Sequence, residues 1–295
     1  MTINHGWVKN DGLEISGKFA ALVHGPLKWN IDANISFNRN TIGGLDNDQF
    51  ASRLWNAADY VFIQRNGMPI GAIYGYVEDG FYDNEAEVRS NPVYANASAA
   101  IIKQKIGEVK YLNLDNDPNI TDADRTIIGN TNPDFIAGIT NNFSYKNFNL
   151  SFFIQGVFGN DIFNGNLTDV TLNSIGNIPT FAYQGRWTPE TAATATWPKV
   201  NNGYTREWLI SNRYIEDGSY VRLKSLTFGY DFNKPFKGIQ AISLFASGTN
   251  LITITKYNWF DPDVNSFGGD ASRRGVDIHA YPSSRTFSLG ARVSF

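Results

Sequence analysis

Residues Leu27 to Phe37 read LKWNIDANISF. Leu27, Trp29, Ile31, Ala33, Ile35 and Phe37 alternate with Lys28, Asn30, Asp32, Asn34 and Ser36. Successive side chains of a strand point to opposite faces, so this period of two predicts a strand with one oily face and one wet face. The stretch before it, GLEISGKFAALV, has the same period. Leu13, Ile15, Phe19, Ala21 and Val23 stand opposite Glu14, Ser16 and Lys18. His24, Gly25 and Pro26 predict a tight turn between the two strands.

The pattern recurs along the chain. Residues 134–145 place Phe135, Ala137, Ile139, Phe143 and Tyr145 on one side, and after Lys146 and Asn147 come Phe148, Leu150, Phe152, Ile154 and Phe158. Residues 220–232 (YVRLKSLTFGYDF) alternate with a change of parity near Lys224–Leu226, which predicts a β-bulge. Residues 240–253 carry Ile242, Leu244 and Ala246. The last stretch, TFSLGARVSF, sets Phe287, Leu289, Ala291, Val293 and Phe295 opposite Thr286, Ser288, Gly290, Arg292 and Ser294. Several of these seven strands reach about 12 residues. Strands in soluble sheets average ~5–6 residues, whereas a tilted strand needs ~9–11 to cross a bilayer. A large soluble β-sandwich also alternates, so period and length leave both architectures open.

The connections separate them. Those at 24–26, 146–147 and about 233–239 are short, and those at about 41–133, 160–217 and 254–283 are long. Short turns at one end and long loops at the other is the asymmetry of outer-membrane barrels, whose short turns are periplasmic. Tyr145, Phe148, Tyr230 and Phe232 gather beside the short turns, as an interfacial aromatic girdle would. Seven strands cannot close a single-chain bacterial barrel, which has an even number. The sequence therefore predicts the C-terminal part of a longer protein that supplies the other strands and the signal peptide.

Composition agrees. Of 295 residues, 14% are aromatic and only 18% charged, below the ~25% of soluble domains. The 28 acidic residues outnumber the 25 Lys and Arg, so no nucleic-acid partner is expected. Without cysteine, neither disulfides nor a thiolate zinc site can form. MTINHGWVKNDG lacks the apolar core of a signal peptide, and no run approaches the ~18 apolar residues of a membrane helix. Strands that alternate escape that second criterion. No GxSxG, phosphate-loop or HExxH motif is present, and His5, His24 and His279 lie far apart. Asp261 and Asp263 flank Pro262 and read as a proline-fixed turn rather than a catalytic pair. The chain is read as non-enzymatic.

Three segments resemble the SusC/RagA family of TonB-linked (TonB-dependent) outer-membrane proteins. They are YIEDGSYVRLKSLTFGY (214–230), NLITITKY followed by FDPDV (250–257 and 260–264), and TIIGN followed by NPDF (126–130 and 132–135). The terminal Phe295 fits the aromatic end read by the family's membrane-insertion machinery. The resemblance implies an all-β fold in which residues 1–295 form an antiparallel transmembrane β-barrel segment with long extracellular loops. These would be about seven C-terminal strands of a 22-stranded barrel, its plug domain and N-terminal strands lying outside the chain. It further implies an outer-membrane importer in a Gram-negative bacterium, powered through TonB by the missing N-terminal part and bedded in outer-membrane lipid. Its substrates would be oligosaccharides or oligopeptides, taken up with a SusD-like surface lipoprotein. A siderophore-type receptor and a secreted β-rich glycan-binding module or glycosidase are the alternatives.

Residues 83–132 are read as an extracellular loop holding one local chemical site. Asn113, Asp115, Asp117, Asn119, Thr121 and Asp124 follow the spacing of a twelve-residue calcium loop. Pro118 replaces the usual glycine, Asn113 the first aspartate and Asp124 the longer glutamate, which should weaken a bound calcium ion, the one cofactor considered. Loop tryptophans can stack on sugar rings or pack the loop's own small core. Trp187, Trp197 and Trp208 lie in one long loop and Trp259 in another; Trp187, Trp208 and Trp259 are taken as the candidate substrate contacts.

Overall fold

A computed structural model describes residues 6–53, 60–115, 117–172, 177–200 and 209–295. The chain opens with β1 (Trp7–Leu22) and β2 (Leu27–Gly43). A first long connection holds β3 (Gln49–Arg53), β4 (Tyr60–Gln64), β5 (Ala72–Gly75), β6 (Glu78–Phe81), α1 (Glu85–Ser90), α2 (Ala99–Lys105), β7 (Val109–Tyr111) and β8 (Thr126–Asn130). After β9 (Phe135–Tyr145) and β10 (Phe148–Phe158), a second holds β11 (Asp161–Asn164), α3 (Asn166–Leu172), α4 (Thr180–Gln184) and β12 (Ile215–Asp217). Then come β13 (Tyr220–Phe236) and β14 (Ile239–Thr255), a third connection with β15 (Val276–Asp277), and β16 (Thr286–Ser294).

The seven strands expected from the alternation form one antiparallel sheet in the order β1-β2-β9-β10-β13-β14-β16. Its register carries the sequence pattern across the whole width. Leu22, Trp29, Phe143, Leu150, Phe228, Ala246 and Leu289 are cross-strand neighbours in one row. A row with the opposite parity reads Ala20, Asn30, Asn142, Ser151, Thr227, Ser247 and Ser288. Directly paired residues share a face, so one side of the sheet is apolar and the other polar.

Among the described residues, none covers the apolar side. The buried clusters draw on the long connections and take no residue from the seven strands. Among the described residues, no aliphatic or aromatic side chain of the apolar face is buried, and Leu289 is 88% exposed. A large apolar side chain left in water forgoes about 1.5–3 kcal/mol. The first row alone would therefore lose on the order of 10 kcal/mol, comparable with the stability of a whole domain. A soluble sandwich would have placed Trp29, Ile31 and Ile35 against a second sheet; here they stay half-exposed. The sheet is a segment of a barrel wall whose apolar side is built for hydrocarbon.

Two bulges keep the faces sorted. Between Leu223 and Ser225 the register of β13 on β14 shifts, as the parity change predicts, so that Val221 and Leu223 join Leu226 and Phe228 on the apolar side. A second bulge, between Ala20 and Leu22, was not expected, and it turns Leu22 rather than Ala21 to the face of Trp29. The third short connection is shorter than expected. β13 runs to Phe236, leaving only Lys237 and Gly238 as the turn, with Gly238 at φ +87°. Asn141 is the one polar side chain in the middle of the apolar face, and the Trp29 indole N–H donates to its Oδ1 at 3.0 Å. A polar group facing lipid needs such a partner.

The long connections are not loose loops. β3, β4, β5 and β8 make a four-stranded sheet, β6 pairs with β7, and β11 pairs with both β12 and β15. One core cluster draws Val61 and Phe62 from the first connection, Phe163 and Tyr214 from the second, and Val276 and Ile278 from the third. The three connections thus fold together as a cap at one end of the wall.

Candidate binding site

The segment 214–230 joins cap to wall. Glu216 in β12 accepts from Asn164 Nδ2 at 2.7 Å through Oε1, and from the backbone N–H and Nδ2 of Asn258, both at 2.9 Å, through Oε2. Asp217 accepts the Ser219 N–H at 2.9 Å, closing the turn into β13. At that turn the Gly218 N–H donates to the Asn160 carbonyl at 2.8 Å, and a Cβ on Gly218 would stand 2.8 Å from Ile162 Cγ1. The short acidic-glycine run is thus a splice in which β11, β12 and the start of β13 meet without room for a side chain.

Arg222 and Asp261 form the second fastening. The Arg222 side chain is 1% exposed and that of Asp261 6%, and they make a buried ion pair through Nη2 and Oδ1. Arg222 also donates to Thr253 Oγ1 at 2.9 Å, and Asp263 Oδ2 lies 3.4 Å from its Nη1. Burial by itself would raise the Asp261 pKa, but backbone N–H donors from Asp263 and Ser283, with Arg222, outweigh it and hold the carboxyl below its ordinary value. Asp261 and Asp263 are therefore a braced turn, as expected. Nearby, Tyr257 donates to Asp277 Oδ2 at 2.6 Å. Burial first, then this acceptor, push the phenol well above its ordinary range, so it remains a donor.

Where the second and third connections meet Glu78 of the first lies a cavity of about 630 Å³. Its walls include Phe181, Trp197, Trp259, Arg213, Glu216 and Asn258. Phe181 and Trp197 rings are 5.6 Å apart, and the Arg213 guanidinium lies 5.2 Å from the Trp197 ring centre. Arg213 is clamped by Glu78, with Nε to Oε1 at 2.9 Å and Nη2 to Oε2. Trp197 and Trp259 both pack against the main buried cluster. Glu78 and Arg213 are paired with each other, whereas the Glu216 carboxylate is held by the neutral amides of Asn164 and Asn258. Aromatic rings and amide groups thus stand side by side in its wall, a combination common in small-molecule sites.

Of the expected substrate contacts, Trp259 lines this cavity. Trp187 is only 7% exposed; its Nε1 donates to Asp83 at 2.8 Å and its ring leaves no room for a Cβ on Gly107. That is a packing role, with no face left for a ligand. Trp208 lies outside the described residues. Phe181, Glu78 and Arg213 were not singled out from sequence. Glu78 and Arg213 meet across 135 positions, and no spacing rule announces such a pair.

The calcium-spaced residues fold as one tight loop whose oxygens serve its own backbone. Asp115 accepts the Asp117 N–H at 2.9 Å, and Asp117 the Asn119 N–H at 2.6 Å. Thr121 Oγ1 accepts the Ala123 N–H at 3.2 Å. Asp124 is fully buried and accepts from Leu114 and Thr121 at 2.6 and 2.7 Å. Asn113 turns its amide N–H groups, not its oxygen, to the carbonyls of Asp117 and Asn119. Among the described residues, no three acidic or histidine side chains are grouped to hold a metal ion.

No protein-family model matches the chain. Individual relatives do. The chain is 33% identical to TonB-dependent receptor P3 of Formosa agariphila, over 99% of its own length and 29% of that receptor. It is 26% identical to TonB-dependent receptor SusC of Bacteroides thetaiotaomicron, over 100% of its own length and 27% of SusC. Among solved structures it is similar to the RagAB peptide importer in the open-open state, with a TM-score of 0.73 at 21% identity, covering 98% of this chain and 29% of that one. The chain spans less than a third of the curated relatives it matches.

Proposed function

We infer that this chain is a barrel segment of a SusC/RagA-type TonB-dependent receptor, and that the receptor is an outer-membrane importer of oligosaccharides or oligopeptides. The observation that carries the reading is the uncovered apolar face, continuous across seven strands, with a polar face behind it. In this reading the apolar side meets outer-membrane lipid and the polar side lines the lumen around the plug. The two- and four-residue turns are periplasmic and the folded cap is extracellular. The cap meets substrate beneath a SusD-like lipoprotein, and the energy comes from TonB through parts of the receptor outside this chain. The segment supplies wall and recognition surface, and no bond is made or broken on it.

The rival readings have less support. A secreted glycan-binding module has no use for an uncovered apolar sheet. A siderophore-type receptor would share the barrel, but the relatives include SusC and the fold neighbours RagAB. Fractionation of cells expressing the full-length receptor tests the proposal. The protein should sediment with outer membranes and migrate faster on a gel unheated than boiled, as folded barrels do. Recovery from the culture medium, with no shift on heating, would overturn it.

A further inference from the structure

We propose that the short-turn rim of the wall binds the headgroups of anionic phospholipids through Lys146, Lys234 and Lys237. The proposal rests on the importer reading, which puts this rim at the inner surface of the outer membrane, and names the lipid class held there. Acidic residues outnumber basic ones over the whole chain, yet this end reverses the balance. On the turn side of the row that runs from Leu22 to Leu289 stand Lys28, Lys146, Lys234, Lys237 and Arg292, against Asp231. The register divides these charges. Lys28 shares the polar face with Ser144 and Asn149, and Arg292 shares it with Ser243 and Asp231. There the Asp231 carboxylate accepts from Asn149 Nδ2 at 2.7 Å. Lys146 and Lys237 belong to the turns themselves, and Lys234 to the irregular stretch of β13 just before its turn.

The surroundings of these three lysines point to lipid. The Lys146 ammonium lies 5.5 Å from the ring centre of Tyr145. Tyr145 and Phe148 are the last pair of the β9–β10 hairpin, on the apolar face with Leu27 and Tyr230. The ammonium therefore sits where the apolar face ends, at the depth of a lipid phosphate. All three lysines are exposed, and among the described residues none of them makes an ion pair. Local folding does not call for them. Lys146 and Lys234 have φ of 53° and 49°, the left-handed backbone that glycine and asparagine adopt at less cost. Only four described residues other than glycine take a positive φ, and these lysines are two of them. A cation beside the bilayer favours an anionic surface over a neutral one by about fivefold. A zwitterionic headgroup offers no net charge to draw it.

The test titrates the full-length protein in detergent with dioleoylphosphatidylglycerol and, in parallel, dioleoylphosphatidylcholine, and counts bound lipids by native mass spectrometry. The wild type should bind phosphatidylglycerol about tenfold or more tighter, and the preference should shrink as the salt is raised. Lys146→Asn, Lys234→Asn and Lys237→Gln together should abolish it. The barrel should survive these changes, because asparagine fits a left-handed position at least as well as lysine. Arginine at the same three positions should keep the preference. Lys103→Gln, on the exposed side of α2 in the cap, should bind as wild type. Equal affinity for the two lipids would overturn the proposal, as would a preference that the triple variant retains. Displacement of the lipid by an equal concentration of glycerol 3-phosphate would also overturn it, by assigning a site for free phosphate. A protein that stays heat-modifiable with any of these results leaves the importer reading standing while this assignment falls. A protein with neither a heat shift nor lipid uptake would overturn both.

Discussion

Replacing Arg222 by methionine should release the third connection from the wall. Methionine keeps much of the apolar volume but removes the charge and its donors, leaving the Asp261 carboxylate buried. Breaking a buried pair by removing one partner costs about 3–5 kcal/mol. Asp261 would keep two backbone donors, the N–H groups of Asp263 and Ser283, both at 2.9 Å, so the lower figure applies. About 3 kcal/mol is roughly a hundredfold in the local opening equilibrium. Those two amide hydrogens are themselves the reporters. Hydrogen exchange of the full-length protein in detergent, read on peptides covering 257–285, should show about hundredfold faster exchange in the variant at neutral pH. The pH dependence carries a sign. The folded-state pKa of Asp261 is depressed below its ordinary value of 3.8, so its contribution is fully present above that value and is lost as pH falls through the folded-state pKa. The gap between wild type and variant should therefore be widest near neutrality and close in acid below the ordinary carboxylate range. The double variant Arg222→Met with Asp261→Asn, which keeps an amide oxygen as acceptor and strands no charge, should exchange more slowly than Arg222→Met alone. Equal protection of wild type and Arg222→Met at pH 7 would refute the reasoning.

Gly218→Ala should destabilise the junction of cap and wall by about 1–3 kcal/mol, because the new methyl meets Ile162 and the Asn160 backbone; detergent-based urea unfolding followed by cap fluorescence would measure it. Trp29→Phe strands Asn141 on the apolar side and should cost about 1–3 kcal/mol, whereas the double variant Trp29→Phe with Asn141→Leu, which removes both partners, should be closer to neutral. The heat-modifiability midpoint of each variant checks the order, and a larger loss for the double variant would be the wrong result. Calcium should bind the 113–124 loop no tighter than about 10⁻⁴–10⁻³ M, since Asp124 is spent on two backbone donors and Asn113 presents N–H groups. Calorimetry giving a micromolar constant would show that the loop rearranges around an ion.

The wall was legible in the sequence because a strand between lipid and lumen has one apolar neighbour on every second residue. That rule placed Trp29, Phe143, Leu150 and Leu289 on the apolar faces of their strands before any pairing was known. It also located the bulge near Lys224. It failed at Ala20–Leu22, where apolar residues adjoin and either parity reads well. It also cut β1 short at its start, because VKND has polar residues on both faces; hydrogen bonding to β2 continues there without an apolar pattern to reveal it. The cap was the larger omission. Its strands are short, its core is assembled from three distant segments, and Val61, Phe163 and Val276 meet only after folding. Of the candidate contacts, Trp259 fell on the cavity because aromatic loop residues were suspected at all. Trp187 shows why that suspicion is weak, since an indole with a buried N–H acceptor such as Asp83 is as easily a core residue.

The orientation of the strand faces is best tested on β2. The chain has no cysteine, so single cysteines at positions 28–37 of an otherwise cysteine-free full-length protein can each carry a spin label. Labels at 29, 31, 33, 35 and 37 should collide with lipid-dissolved oxygen and be shielded from a water-soluble nickel chelate, while those at even positions should lose the oxygen effect. A flat profile along the segment, or nickel access at the odd positions, would contradict a wall with hydrocarbon outside.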